Sequence, residues 1–166
     1  MRPARFQEFA VKALAQAPDI RTVEPWNEGT RRPSGLKIEF TTGAQIWTGI
    51  TYARADGEKF EDADGNPVDE APVDGEPPAE VSLPELVQGG KIPVKGAELY
   101  LVGALINSRN PEIAEAYGYS HGTSPTMYPG FGVNFHNGSR IFCVFEYALR
   151  SGQERPSGSR ELPEAV

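Results

Sequence analysis

Along the chain, hydrophobic and polar positions follow one pattern twice. Over 130–149, GFGVNFHNGSRIFCVFEYAL, two runs rich in β-branched and aromatic residues flank Asn137-Gly138. Asn and Gly best tolerate the positive φ angles of a two-residue type I′ turn, so the stretch predicts a β-hairpin. Such a turn sets Val133 opposite Phe142 and Phe131 opposite Val144 on one side. Ile141, Cys143, Phe145 and Tyr147 then point to the other side. A strand apolar on both faces reads as central and covered.

Residues 35–53, GLKIEFTTGAQIWTGITYA, repeat the pattern. Laid over 130–148 without a gap, Gly35, Phe40, Gly43, Ile46, Tyr52 and Ala53 meet identical residues at Gly130, Phe135, Gly138, Ile141, Tyr147 and Ala148. Upstream, Ala17-Pro18-Asp19-Ile20 resembles Asn110-Pro111-Glu112-Ile113, and Gly29-Thr30 resembles Gly122-Thr123. Shared patterning alone makes hairpins look alike. The upstream matches favour an internal duplication, and a missed repeat distorts the whole fold reading.

The remaining elements follow the same logic. Phe6, Phe9, Ala10, Ala13 and Leu14 fall on one helical face of 1–17, with Pro3 in the first turn and Ala17-Pro18 as the stop. Residues 20–26 suit a strand, and Pro25 marks it as an edge or an end. Leu36, Ile38 and Phe40 alternate with Lys37 and Glu39, so that strand has one wet face. Phe60 and Val68 are placed to pair across Asp64-Gly65. Ser82-Leu83-Pro84-Glu85 has the capping-box pattern for a short helix closing at Gly89. Residues 93–108 are apolar around much of a helical circumference; a buried helix is favoured over a strand at 98–102. The repeat asks for a strand near 113–119.

The expected fold is α+β: a helix-strand-hairpin unit used twice, with antiparallel strands in one sheet or two and helices covering a face. The divisions are 1–53 and 82–150 for the two halves, 54–81 for an acidic insertion, and 151–166 for a polar, mobile tail. With 166 residues the chain supports one ordinary core.

Charge sharpens this division. The net charge of −7 is concentrated in 54–80, where ten acidic side chains face only Arg54 and Lys59. Rich in Pro and Gly and poor in large apolar groups, that stretch has the composition of a flexible insertion. The remainder is close to neutral, without the basic stripe a nucleic acid would want, so nucleic acid is disfavoured as a partner. The single cysteine excludes an internal disulfide, and its apolar neighbours make Cys143 a small core residue. No apolar run approaches the length of a membrane span, and the N-terminal stretch lacks the apolar segment of a secretory signal. The expected location is the cytoplasm, or a particle assembled there.

The search for chemistry excludes more than it finds. There is no phosphate-binding glycine loop, dinucleotide fingerprint, zinc spacing or nucleophile elbow. Asp62-Ala63-Asp64-Gly65-Asn66 opens like a calcium loop, but Pro67 and Val73 stand where that loop needs Gly and Glu. No metal or other cofactor is expected. Asn137-Gly138-Ser139 matches a glycosylation acceptor and is read as a turn. His121 and His136 lie in polar loops, and a metal-binding or acid–base pairing across one end of the sheet is the catalytic option. Trp26, Trp47, Tyr52, Tyr119, Tyr128 and Tyr147 are strand formers first and stacking surfaces second. The binding candidates are His121, His136, Tyr119, Tyr128 and Trp26.

The leading expectation is a non-catalytic interaction or assembly module, partnered by another protein or by itself: an adaptor, or a subunit of a larger particle such as a phage component. The alternatives are a single-stranded nucleic-acid or small-molecule binder using sheet aromatics, and a small hydrolase using His121 and His136.

Overall fold

The computed structural model describes residues 1–122, 128–156 and 162–166. The chain runs α1 (Pro3–Leu14), β1 (Ile20–Glu28), β2 (Arg32–Phe40), β3 (Gln45–Ala53), then α2 (Val94–Asn107), β4 (Ile113–Gly118), a short 3-10 turn at Tyr119–His121, β5 (Gly130–Phe135) and β6 (Arg140–Leu149). All strands join one antiparallel six-stranded sheet in the order β1-β2-β3-β6-β5-β4. This is α+β, with a single sheet. No helix among the described residues is long and apolar enough to cross a membrane.

Both helices lie against one face of the sheet. Phe6, Ala10 and Leu14 of α1 are fully buried against it, and Pro3 begins the helix as its fixed φ allows. Helix α2 is buried around most of its circumference, as its largely apolar sequence implies. Leu36, Ile38 and Phe40 of β2, Ile46 and Ile50 of β3, Phe131 and Val133 of β5, and Ile141, Cys143 and Phe145 of β6 complete the core. Each fully buried side chain of this size contributes roughly 1.5–3 kcal/mol. Tyr100 is buried too, and its hydroxyl accepts a hydrogen bond from the Asp19 amide at 2.9 Å, tying α2 to the start of β1.

The hairpin of β5 and β6 differs from expectation by one residue. Gly138 has φ +85°, while Asn137 keeps a negative φ, so the turn is not type I′. The Phe135 carbonyl accepts from the Gly138 amide at 2.9 Å, and the Phe135 amide donates to the Ser139 carbonyl at 3.0 Å. This is a three-residue loop with glycine in the left-handed position. Asn137 stabilises it by accepting from the Ser139 amide and hydroxyl. Val133 therefore pairs with Ile141 and Phe131 with Cys143. Because side chains alternate with period two, this slip turns Ile141, Cys143 and Phe145 into the core and Phe142 and Val144 outward. Strand β6 is central, paired with β3 and β5, but helices cover only one of its faces. The loop between β2 and β3 has the same form, with Gly43 at φ +84°. The turn in which both central φ angles are positive is at Gly89-Gly90.

Corresponding positions of the two αβββ stretches pair alike. Ile20 pairs with Phe40 and Ile113 with Phe135, and each pairing is followed by a bulge in the edge strand. Val23 pairs with Ile38 where Ala116 pairs with Val133. Gly35 lies beside Gly49 where Gly130 lies beside Val144. As its proline suggests, β1 is an edge strand.

Described residues of the segments expected to be flexible make defined contacts, while 157–161 of the expected tail lie outside the described residues. In 54–93, Phe60 and Val68 form the small hairpin anticipated from Asp64-Gly65. Arg2 donates to Glu58, to the Val68 carbonyl and to the Lys59 carbonyl, while Arg5 reaches both Glu70 and Glu112. No helix forms at 82–89. Pro84 interrupts a run too short to nucleate one, and Asn107 bonds both the amide and the carbonyl of Val81 instead. Nor does the end of the chain drift: Val166 exchanges two backbone hydrogen bonds with Ile92 and is itself buried.

Candidate functional site

The sheet face opposite the helices is where side chains with binding chemistry gather. Register places Trp26, Gly35, Lys37, Trp47, Gly49, Thr51, Phe142, Val144, Tyr147, Gly132 and Tyr117 on this side. Phe142, Val144, Trp47, Tyr147 and Tyr117 are each half-buried, and Thr51 is exposed. A wet sheet face usually alternates to polar residues; here half-buried aromatic side chains share the face with Glu24, Lys37, Glu39, Gln45, Glu115 and Asn134.

Glycines shape the face. Gly35, Gly49 and Gly130 fall in one register row across β2, β3 and β5, with Val144 of β6 between the last two. Trp26 packs over Gly35, where any β-carbon would strike its ring, and Tyr117 covers Gly132 in the same way. Over Gly49 lie Arg32 and Glu146. Beside them opens a cleft of about 320 Å³, lined by Arg31, Arg32, Gly49, Thr51, Tyr128 and Val144 among others.

Glu146 is present on this face because of a bulge. Trp47 pairs with Tyr147 and Thr48 with Phe145, so β6 carries one extra residue there. The extra side chain forms an ion pair with Arg32 at 2.5 Å, both groups being nearly buried. Arg32 also holds Glu28 at 2.7 Å. Burial works against the Arg32 charge, but hydrogen bonds and Coulomb attraction from Glu146 and Glu28 outweigh it and raise its pKa further.

Next to this pair, Trp26, Trp47 and Tyr147 meet edge to face, with ring centroids 5.5–6.1 Å apart. Lys37 lies 5.7 Å from the Trp47 ring, and Arg155 lies 5.1 Å from Tyr147 and 5.9 Å from Trp47. Trp26 thus belongs to an aromatic corner, as a wall rather than an exposed plate, since it is nearly buried.

The other candidates are dispersed. Tyr128 is exposed at the rim of the cleft. Tyr119 is buried against Gly130, and burial pushes its hydroxyl pKa far up. His121 sits at the β4–β5 end, its Nε2 2.8 Å from the Lys95 carbonyl and 3.8 Å from Glu98. His136 follows the opposite end of β5, against Gly75 and the Glu76 carbonyl. The two histidines are separated by the length of that strand, so the acid–base or metal pairing across one sheet end does not form. Among the described residues no three metal-ligating side chains converge.

Two further groups escaped the sequence reading. Glu98 is completely buried in α2, accepting from the Ser120 amide and hydroxyl and from the Gly130 amide at 2.6–3.0 Å. It staples the helix to the β4–β5 connection. Its signal was a carboxylate in the middle of a largely apolar helix, which demands donors. Glu146 carried a comparable signal: an acid inside a strand apolar on both sides.

Compared with known proteins, the chain matches no family model, and neither a curated protein nor a solved structure matches it.

Proposed function

We propose that this chain is a non-catalytic protein-interaction module whose docking surface is the helix-free face of its sheet. One observation carries the reading: on that face half-buried aromatic and aliphatic side chains cluster around a row of glycines, among polar residues. Aromatic residues flanked by Arg are the composition of interface centres. Carboxylates at Glu24, Glu28, Glu39 and Glu115 stand on or beside the same face, which suits a protein partner and opposes a polyanion.

The module is read as a duplicated αβββ unit with an acidic strap between the copies. Support comes from the paired registers and matched edge bulges of the two stretches, and from the identities between 35–53 and 130–148. An adaptor, or a subunit of a larger particle, is the role such a surface serves.

The test is a pair of charge insertions. Phe142→Glu and Val144→Glu, on the open face, should each abolish co-purification of partner proteins from the native cells while leaving the melting temperature close to wild type. Leu99→Glu, on the exposed side of α2, should leave co-purification intact. Loss with Leu99→Glu alone would move the surface to the helical layer.

A further inference from the structure

We propose that Glu28, Trp47 and Tyr147 form an acceptor site for an arginine side chain of the protein partner, and that Arg155 of this chain fills the site in cis. The inference rests on the docking reading above and names the chemistry of the partner.

The site has the parts that guanidinium recognition needs. Tyr147 and Trp47 stand nearly perpendicular, at 80°, and the Arg155 guanidinium carbon lies over both rings. A planar, weakly hydrated cation gains from stacking on aromatic faces where an ammonium gains mainly as a point charge. Glu28 supplies the anion: its Oε1 accepts from Arg155 at 2.9 Å while its Oε2 accepts from Arg32 at 2.7 Å. Arg32 is in turn fixed by Glu146, so the carboxylate is oriented before any ligand arrives. Trp47 is fixed as well, its indole donating to Gln45 at 3.0 Å.

Arg155 is held more lightly than the site around it. Its side chain is 39% exposed, whereas Arg32 is 9% exposed. It stands on residues 150–156, which belong to no helix or strand. Behind them opens a cavity of about 770 Å³, between the end of β6 and residues 150–153 and 162–164. With its side chain this exposed, rotation about its own bonds is enough to take Arg155 off the rings. A tethered occupant competes at an effective concentration in the millimolar range, so it lowers the apparent affinity for any arginine offered from outside.

The full-length chain and its Arg155→Ala variant are to be titrated with N-acetyl-arginine amide, following the Trp47 indole resonance by NMR. The neutral isostere N-acetyl-citrulline amide is the control. Arg155→Ala should respond saturably at concentrations about tenfold below those needed for wild type. Citrulline amide should leave the resonance in place, and adding Glu28→Gln to Arg155→Ala should remove the gain. Arg155→Gln keeps part of the unbranched side chain but not the charge and should behave like the alanine variant, which separates loss of charge from loss of packing. Equal responses in wild type and both variants, or equal responses to citrulline, would overturn the proposal. That outcome leaves the docking face untouched, because Phe142 and Val144 are tested separately by co-purification.

Discussion

At the scale of single residues, the most consequential contact is Arg32 with Glu146. Both are nearly buried, so neither charge is well solvated if the other is removed. Arg32→Ala should destabilise the chain by about 3–5 kcal/mol in urea unfolding, chiefly because the nearly buried Glu146 and its neighbour Glu28 lose their ion pairs with Arg32. The double variant Arg32→Met/Glu146→Leu should recover most of that loss, since buried pairs replaced by apolar groups of similar size are often neutral. A double variant as unstable as Arg32→Ala would mean that the attraction within the pair, rather than the cost of a buried charge that has lost Arg32, dominates. Gly130 shows the same dependence on local geometry. Its φ of +156° and the Cys143 carbonyl beneath it leave no room for a β-carbon.

Among the elements, the acidic strap departs most from its composition. Ten acids in a Pro/Gly-rich stretch suggest disorder, yet Glu58 and Glu70 are partnered by Arg2 and Arg5 of the first helix and its cap. Burial opposes ionisation of Glu70. The Arg5 guanidinium, the Arg2 amide and the Met1 amine outweigh it and hold the carboxyl pKa below its ordinary value. Glu58 is held down likewise: against burial act Tyr52 and Arg2. A carboxyl depressed in the folded state contributes stability above its unfolded pKa of about 4.3, and that contribution is lost as pH falls through the folded value. Glu70→Gln should therefore be less stable than wild type at pH 7, with the difference shrinking below about pH 4.3. A constant difference across pH, measured by thermal melts from pH 7 to pH 3, would deny the strap its electrostatic latch.

The strap and the hairpins also show what could be read from residues alone. Strand alternation and the buried helical run were legible, because period and apolar width are properties of the sequence. The register was not. Asn137-Gly138 satisfies a two-residue turn and a three-residue loop alike, since both need glycine at a positive φ, and one residue of slip reverses the faces. The bulge at Glu146 is settled by pairing between β3 and β6, which are remote in the chain. Trp26 was legible as an aromatic on a strand, but its partners Trp47 and Tyr147 meet it only in the sheet. For the same reason Arg155 could not be matched to Glu28 in advance.

For the whole molecule, the arrangement is two-layered: helices on one face, and on the other a helix-free aromatic surface with a cleft at its centre. The central claim is that this surface is where a protein partner docks. The most direct test is site-specific photocrosslinking in the native cells, with a benzophenone amino acid at Thr51 on the open face and, separately, at Glu8 on the exposed side of α1. The account predicts a discrete protein adduct from position 51 and none from position 8. Adducts from position 8 alone, or the same adducts from both positions, would contradict it.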